Sequence, residues 1–310
     1  MKKRNKVIAL ILSFILLLTS CSLPGLGEDA KNDGIVIAGG NTSERQILAE
    51  IVKQMIEHDM DDTNVSIMNN LGSSMLIHQA MSNKDINVSG SMYTGTSLTG
   101  ELGEEPIKDP EKALEAVIDG YKTRFHRKWY PSYGFGNTYA FMVTREFAEK
   151  ENIKTVSDLE RLAPELRAGV DTSWMERKGD GYEAFKEIYK FDFEKVYPME
   201  IGLVYSAVNA GEMDVVLGYS TDGRIDTYDL VVLEDDKRLF PPYDVSPVAN
   251  EDILEVYPKL DEVLLKLKDT ISNEDMQRMN RRSDEDLIEP KNVAKEFLEK
   301  NNYFDNKEVK

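Results

Sequence analysis

The chain has 310 residues, of which 41% are hydrophobic and 9% aromatic, enough for a sizeable core and long enough that two domains or lobes are expected. A formal net charge of −18 argues against nucleic acid or an anionic membrane face as partner. Cys21 is the single cysteine, which excludes an internal disulfide and any cysteine-cluster metal site.

The first residues read as a targeting segment, set apart from the fold. Lys2, Lys3, Arg4 and Lys6 form a basic region, and the apolar stretch from Val7 to Leu18 is short for a transmembrane helix. It ends in Leu18-Thr19-Ser20-Cys21, which looks like a bacterial lipobox, with Cys21 as the lipidated N-terminus. The expected mature protein is therefore anchored to the cell membrane on its extracytoplasmic face and does not span it. Removing residues 1–20 leaves 34 basic residues, 38 less these four, against 56 acidic ones, a net charge of −22. Residues 21–33 form a Pro/Gly/charged tether.

The apolar run from Gly34 to Ala38 predicts a buried strand. The turn Gly39-Gly40-Asn41-Thr42-Ser43 supplies helix-capping residues, and from Glu44 onward Ile47, Ile51 and Met55 recur at helical spacing. Strand, turn and helix make a βα unit, whose helix N-terminus suits a carboxylate. Val65 to Met68 predicts a second strand, Ser73-Ser74 starts a helix, and Ile86 to Val88 predicts a third strand leading into a polar loop that carries Tyr93. Pro110 to Arg127 predicts a helix.

The segment Trp129 to Val143 is dense in aromatics and glycine and closes in a strand, Tyr139 to Val143, so a crossing between lobes is expected there. Thr155 to Leu159 resembles a helix start, and Leu203 to Val208 a helix. Asp214 to Leu217 and Leu230 to Leu233 predict two short strands, each followed by a loop with an aromatic, Tyr219 and Tyr243. After Pro247 the chain reads as helical to its end, over residues 251–257, 260–271, 273–280 and 292–301. Strands alternating with helices indicate an α/β class with mainly parallel sheets, the second lobe inserted into a discontinuous first.

Motifs for chemistry are lacking. Gly134-Phe135-Gly136 is not a dinucleotide fingerprint, because Tyr139 stands where the third glycine belongs. The chain contains no phosphate-binding loop, no G-x-S-x-G elbow and no H-E-x-x-H, and His58, His78 and His126 are scattered. Asp222, Asp226, Asp229, Glu234, Asp235 and Asp236 lack the oxygen spacing of a calcium loop and read as turn chemistry and solvated charge. What recurs is a tyrosine beside a strand end: Tyr93, Tyr139, Tyr219 and Tyr243. A quaternary ammonium donates no classical hydrogen bond, so it is held by charge, by π faces and by fit, each ring contributing roughly 0.5–2 kcal/mol. Gln46, Thr96 and Asn137 are candidates to meet a carboxylate at the other end of a small zwitterion.

Several segments together resemble the substrate-binding lipoproteins of osmoprotectant ABC importers, which bind glycine betaine, carnitine, choline and related compounds. These segments are Tyr93-Thr94-Gly95-Thr96, the run from Gly134 to Ala140, Gly211-Glu212-Met213-Asp214-Val215, the run from Tyr219 to Ile225, and Asp235-Asp236-Lys237 with Phe240-Pro241-Pro242-Tyr243. The resemblance spans residues 35–304. It implies a two-lobe α/β fold of the type II periplasmic-binding-protein kind with a hinged cleft. Lobe I is expected over residues 34–134 and 241–304, and lobe II over 135–240. The family's ligand cage is carried over onto Tyr93, Tyr139, Tyr219 and Tyr243. Thr96 is expected to donate to the ligand carboxylate, with Gln46 a further candidate, while Asn137 and Asp222 support the loops from behind. The segment Thr42 to Gln46 departs from the commoner family form, as does Tyr133, an extra ring near the cage or a surface aromatic.

Two functions are weighed. The first is a binding protein without cofactor that captures a quaternary-ammonium osmoprotectant and delivers it to an ABC permease with its ATPase subunits. The alternative is an exported enzyme acting on a small cationic metabolite, which needs a nucleophile or an acid/base pair in the cleft. No motif in the sequence supplies one.

Overall fold

The computed structural model describes residues 34–304; the signal segment, Cys21 and the tether lie outside the described residues. Ten strands are seen in that span: β1 (Ile35–Ala38), β2 (Val65–Met68), β3 (Val88–Tyr93), β4 (Arg127–Trp129), β5 (Tyr139–Thr144), β6 (Arg167–Asp171), β7 (Lys195–Met199), β8 (Val215–Tyr219), β9 (Leu230–Val232) and β10 (Val245–Asn250). They build two five-stranded sheets, β2-β1-β3-β10-β4 and β7-β6-β8-β5-β9.

In the first sheet β1 pairs in parallel with β2 and β3, while β10 runs antiparallel between β3 and β4. Ile35 and Ile37 of β1 are buried, as a central strand of a covered sheet requires. The helix Ser43–Asp59 begins where the Thr42 side chain accepts the Arg45 N–H, and its stripe Ile47, Ile51 and Met55 is buried on the sheet. The second sheet repeats the plan: β6 pairs in parallel with β7 and β8, and β5 is antiparallel to β8 and β9. Its core is aromatic, with Phe141 and Phe185 ring centroids 5.1 Å apart and Phe185 stacked on Phe193 at 5.5 Å. Each sheet thus carries four strands that run one way and one, β10 or β5, that runs against them after a crossing of the chain between sheets.

The two crossing segments run side by side. Gly136 bridges Asp244, the Asn137 N–H donates to the Tyr243 carbonyl at 3.2 Å, and the Val245 N–H donates to the Phe135 carbonyl at 3.1 Å. The helix Asn273–Asp284 sends Met276 and Met279 into the core beneath the first sheet, yet it also grips the loop after β8. Gln277 donates to the Ser220 carbonyl and Asn280 to the Thr221 carbonyl, both at 2.7 Å. Gly223 permits this contact, since a Cβ there would lie 2.5 Å from the Arg281 amide nitrogen.

Several expectations are corrected. The third strand starts at Val88 and runs to Tyr93, through residues read as a polar loop. Small residues serve packing here: a Cβ on Gly90 would come within 3.1 Å of the Leu48 backbone, and Ser89 and Ser91 are fully buried. The helices expected after Pro247 are seen as Glu251–Val256, Lys259–Leu265, Asn273–Asp284 and Pro290–Lys300, but Pro247 itself lies inside β10, at a register shift between Ser246 and Val248 where the ladder is already interrupted. The helix expected over residues 260–271 ends at Leu265, because the Asp269 and Ile271 N–H groups are taken by the Ser132 and Tyr133 carbonyls. Thr155 to Leu159 holds only a 3-10 turn over Ser157–Leu159, with the Val156 N–H bonded to Glu234. Strands β4, β6 and β7 and the helix Tyr182–Tyr189 had no counterpart in the sequence reading.

Candidate ligand-binding site

Three of the four tyrosines stand at strand ends and the fourth just before a strand. Tyr93 closes β3, Tyr219 closes β8, Tyr139 opens β5 and Tyr243 lies two residues before β10. Antiparallel register sets Tyr139 opposite Tyr219, and their ring centroids are 5.1 Å apart. Register also pairs Val245 with Tyr93, which brings Tyr243 over the start of the helix Thr94–Thr99. Gly95 makes room for it, since a Cβ there would lie 2.7 Å from the Pro242 carbonyl and 3.0 Å from the Tyr243 ring. Tyr93 and Tyr219 end strands at their carboxyl termini, where ligands of open α/β sheets bind. All four rings line one cavity of about 440 Å³, together with Asn41, Arg45, Thr96, Asn137 and Arg177.

Hydrogen bonds fix the rings from behind. The Tyr93 hydroxyl donates to Glu44 Oε1 at 2.7 Å, and Asn137 Nδ2 donates to the same oxygen at 3.0 Å. The Tyr139 hydroxyl donates to Asp171 Oδ2 at 2.6 Å. Both carboxylates are nearly sealed from solvent, Glu44 at 4% and Asp171 at 6% exposure. Burial pushes the Tyr93 phenol well above its ordinary range, with the Glu44 charge adding to the effect. Burial, then the bond to Asp171, does the same for Tyr139, and burial raises Tyr243. Tyr93, Tyr139 and Tyr243 therefore present neutral phenols at physiological pH.

Two guanidinium groups complete the walls. The Arg45 guanidinium lies 5.2 Å from the Tyr93 ring centroid, and that of Arg177 lies 5.5 Å from the Tyr139 centroid. Asp180 grips Arg177 through Nε at 2.9 Å and Nη2 at 2.5 Å, raising its pKa further above the usual arginine range. Arg177 Nη2 also donates to the Tyr243 hydroxyl at 3.3 Å.

Of the polar candidates, Thr96 and Asn137 line the cavity, although the Asn137 amide is engaged by Glu44. Gln46 does not line it: its amide donates to the Gly40 carbonyl at 3.3 Å, and Asn41 is the amide side chain on that wall. Two residues past Glu44, a helix turns about 200°, which carries Gln46 away from the face that bears Glu44. Tyr133 neither lines the cavity nor lies on the surface; it is buried in the core that also holds Tyr93 and donates to the Gly90 carbonyl at 2.7 Å. Asp222 caps the helix Gly223–Thr227 by accepting the Arg224 N–H, and Asp235 accepts the Leu239 and Phe240 N–H groups, which is turn chemistry. Sequence reasoning missed Glu44, Arg45, Asp171 and Arg177. Glu44 and Arg45 sit in the first turn of a recognisable capped helix, the one signal available for them. Asp171 and Arg177 come from a region with no motif. No histidine lines the cavity; His58 pairs with Asp59 and His78 with Arg127.

Residues 33–300 match the OpuAC family, the substrate binding domain of ABC-type glycine betaine transport systems. The carnitine transport binding protein OpuCC of Listeria monocytogenes (serotype 1/2a, strain 10403S) is 54% identical over 298 residues, covering 96% of each chain. A glycine-betaine-binding protein of Pseudomonas aeruginosa is 28% identical over 89% of this chain and 90% of its own. A crystal structure described as a glycine betaine/carnitine/choline ABC transporter superposes with a TM-score of 0.85 at 51% identity, covering 87% of this chain and 99% of that one. With two mixed sheets, a tyrosine-lined cavity where they meet and a match over most of its length, the chain belongs to the family of substrate-binding proteins of ABC-type glycine betaine transport systems.

Proposed function

We propose that the protein captures a small quaternary-ammonium osmoprotectant such as glycine betaine, carnitine or choline and hands it to an ABC permease and its ATPase, without chemical change to the ligand. The observation that carries this reading is the convergence of Tyr93, Tyr139, Tyr219 and Tyr243 on one cavity. Tyr93 comes from the first sheet, Tyr139 and Tyr219 from the second, and Tyr243 from the crossing between them. A ligand touching all four stabilises the arrangement in which the sheets are drawn together, so capture is a shift toward the closed form. Lobe I comprises residues 34–134 and 241–304 and lobe II residues 135–240, with the paired crossing segments as the hinge. Thr96 donates to the ligand carboxylate, with Asn41 on the wall where Gln46 was expected. The protein works outside the cytoplasm, held to the membrane by a lipid on Cys21.

Calorimetric titration of the soluble chain from residue 22 with glycine betaine, carnitine and choline tests this. One saturable site for at least one of the three is expected, with the ligand recovered unchanged. No heat with any of them, or conversion of the ligand, refutes the reading. Palmitate labelling of wild type but not of Cys21→Ser tests the anchor.

A further inference from the structure

Both cage rings whose hydroxyls reach a carboxylate also carry a cation. Tyr93 donates to Glu44 and lies under Arg45; Tyr139 donates to Asp171 and lies under Arg177. The same arrangement recurs away from the cavity. Tyr130, Tyr182 and Tyr189 donate to Asp261, Asp192 and Asp235, and each has a lysine ammonium over its ring, at 5.0, 4.8 and 5.1 Å. At Tyr130 the lysine also bonds the carboxylate directly. In the cage it does not: Arg177 is forked by Asp180 rather than Asp171, and Arg45 bonds Ser74 rather than Glu44. At Tyr182 and Tyr189 too the lysine bonds elsewhere, Lys186 to Glu183 and Lys237 to the Tyr189 carbonyl.

A phenol that donates to an ionised carboxylate makes a charge-assisted bond and is polarised toward its oxygen, which makes the ring face more negative. Charge balance points the same way. Arg45 and Arg177 bring two positive charges to the cavity wall, and Asp180 offsets one. Without Glu44 and Asp171 a quaternary ammonium would enter a site with one positive charge in excess; with them the excess is one negative charge. We propose that Glu44 and Asp171 are positioning residues for the ligand cation: acting through the hydroxyls of Tyr93 and Tyr139, they set the charge of the cage and its preference for a quaternary ammonium over a neutral group of the same shape. This deepens the tyrosine-cage reading and rests on it.

The test compares glycine betaine with 3,3-dimethylbutanoate, in which a tert-butyl group replaces trimethylammonium. Both are titrated into wild type, Glu44→Gln, Asp171→Asn, Tyr139→Phe and Tyr219→Ala. Gln and Asn still accept a hydroxyl hydrogen bond but carry no charge. Each should lower the betaine-to-isostere affinity ratio by on the order of tenfold, and Tyr139→Phe should lower it too, because the ring remains while its link to Asp171 is cut. Glu44→Asp, which restores the charge, should recover most of the ratio. If both ligands weaken alike and the ratio holds, the carboxylates merely support the fold and the proposal is overturned, while the cage stands if Tyr219→Ala has lost betaine. If Tyr219→Ala binds betaine as wild type does, the cage reading falls and this proposal with it.

Discussion

Tyr219→Ala separates binding from folding more cleanly than any other cage substitution. The Tyr219 side chain is 41% exposed, whereas Tyr93 and Tyr139 are each 8% exposed and bonded to buried carboxylates. Its removal therefore orphans no buried charge. The native state loses one tilted ring pair with Tyr139 at 5.1 Å, about 1 kcal/mol, or ~2–4 °C in Tm. The ligand loses one ring face that closure desolvates, about 1–2 kcal/mol, so Kd should rise by roughly 5- to 30-fold. Tyr219→Phe keeps the face and should stay within about threefold of wild type. Titration calorimetry with glycine betaine gives Kd, and a thermal melt of the same samples gives Tm. An Ala variant that binds within about twofold of wild type, or loses affinity only in step with stability, refutes the reasoning.

Gly95→Ala should weaken betaine binding more than it lowers Tm, because its Cβ would strike the Pro242 carbonyl at 2.7 Å and push Tyr243 off the cage; equal affinity in calorimetry counts against the placement of Tyr243. Asn280→Ala removes the donor to the Thr221 carbonyl at 2.7 Å and should cost about 1–3 kcal/mol in urea unfolding, since both groups are buried. His78 titrates below its ordinary 6.5, first because it is buried and then because Arg127 faces it. Its ring nitrogen accepts from Arg127 Nη1 at 2.9 Å, so the native state holds it neutral. The unfolded chain takes up this proton first, so stability present above pH 6.5 is lost as pH falls from there toward the native pKa. In urea melts at about pH 7.5 and 5.5 His78→Gln should show a smaller drop than wild type.

The tyrosines that line the cavity were legible because an aromatic beside a strand end is a local signal. Val65–Met68 sets Val65, Ile67 and Met68 around a single serine, and the strand appears over those same residues. Tyr219 was misplaced by a residue or two, since β8 runs through Gly218 to Tyr219 itself, and the Tyr205 hydroxyl fills the space a Cβ on Gly218 would need. Ser89 to Tyr93 was hidden because close helix packing selects small residues that mimic a loop. β7 was hidden for the opposite reason: Lys195, Tyr197 and Pro198 lie on an edge strand with largely exposed side chains, so no hydrophobic pattern marks it. The pairing of charges with cage rings was not legible, although the helix start that carries Glu44 and Arg45 was. Glu44 and Tyr93 are 49 residues apart and Tyr139 and Asp171 are 32 apart, and only the folded register makes them neighbours.

The most direct measurement is a crystal structure of the complex with glycine betaine. The ligand nitrogen should lie within about 6 Å of the ring centroids of Tyr93, Tyr139, Tyr219 and Tyr243, its carboxylate toward Thr96 and Asn41. Ligand density outside this cavity, or a nitrogen in contact with none of the four rings, contradicts it.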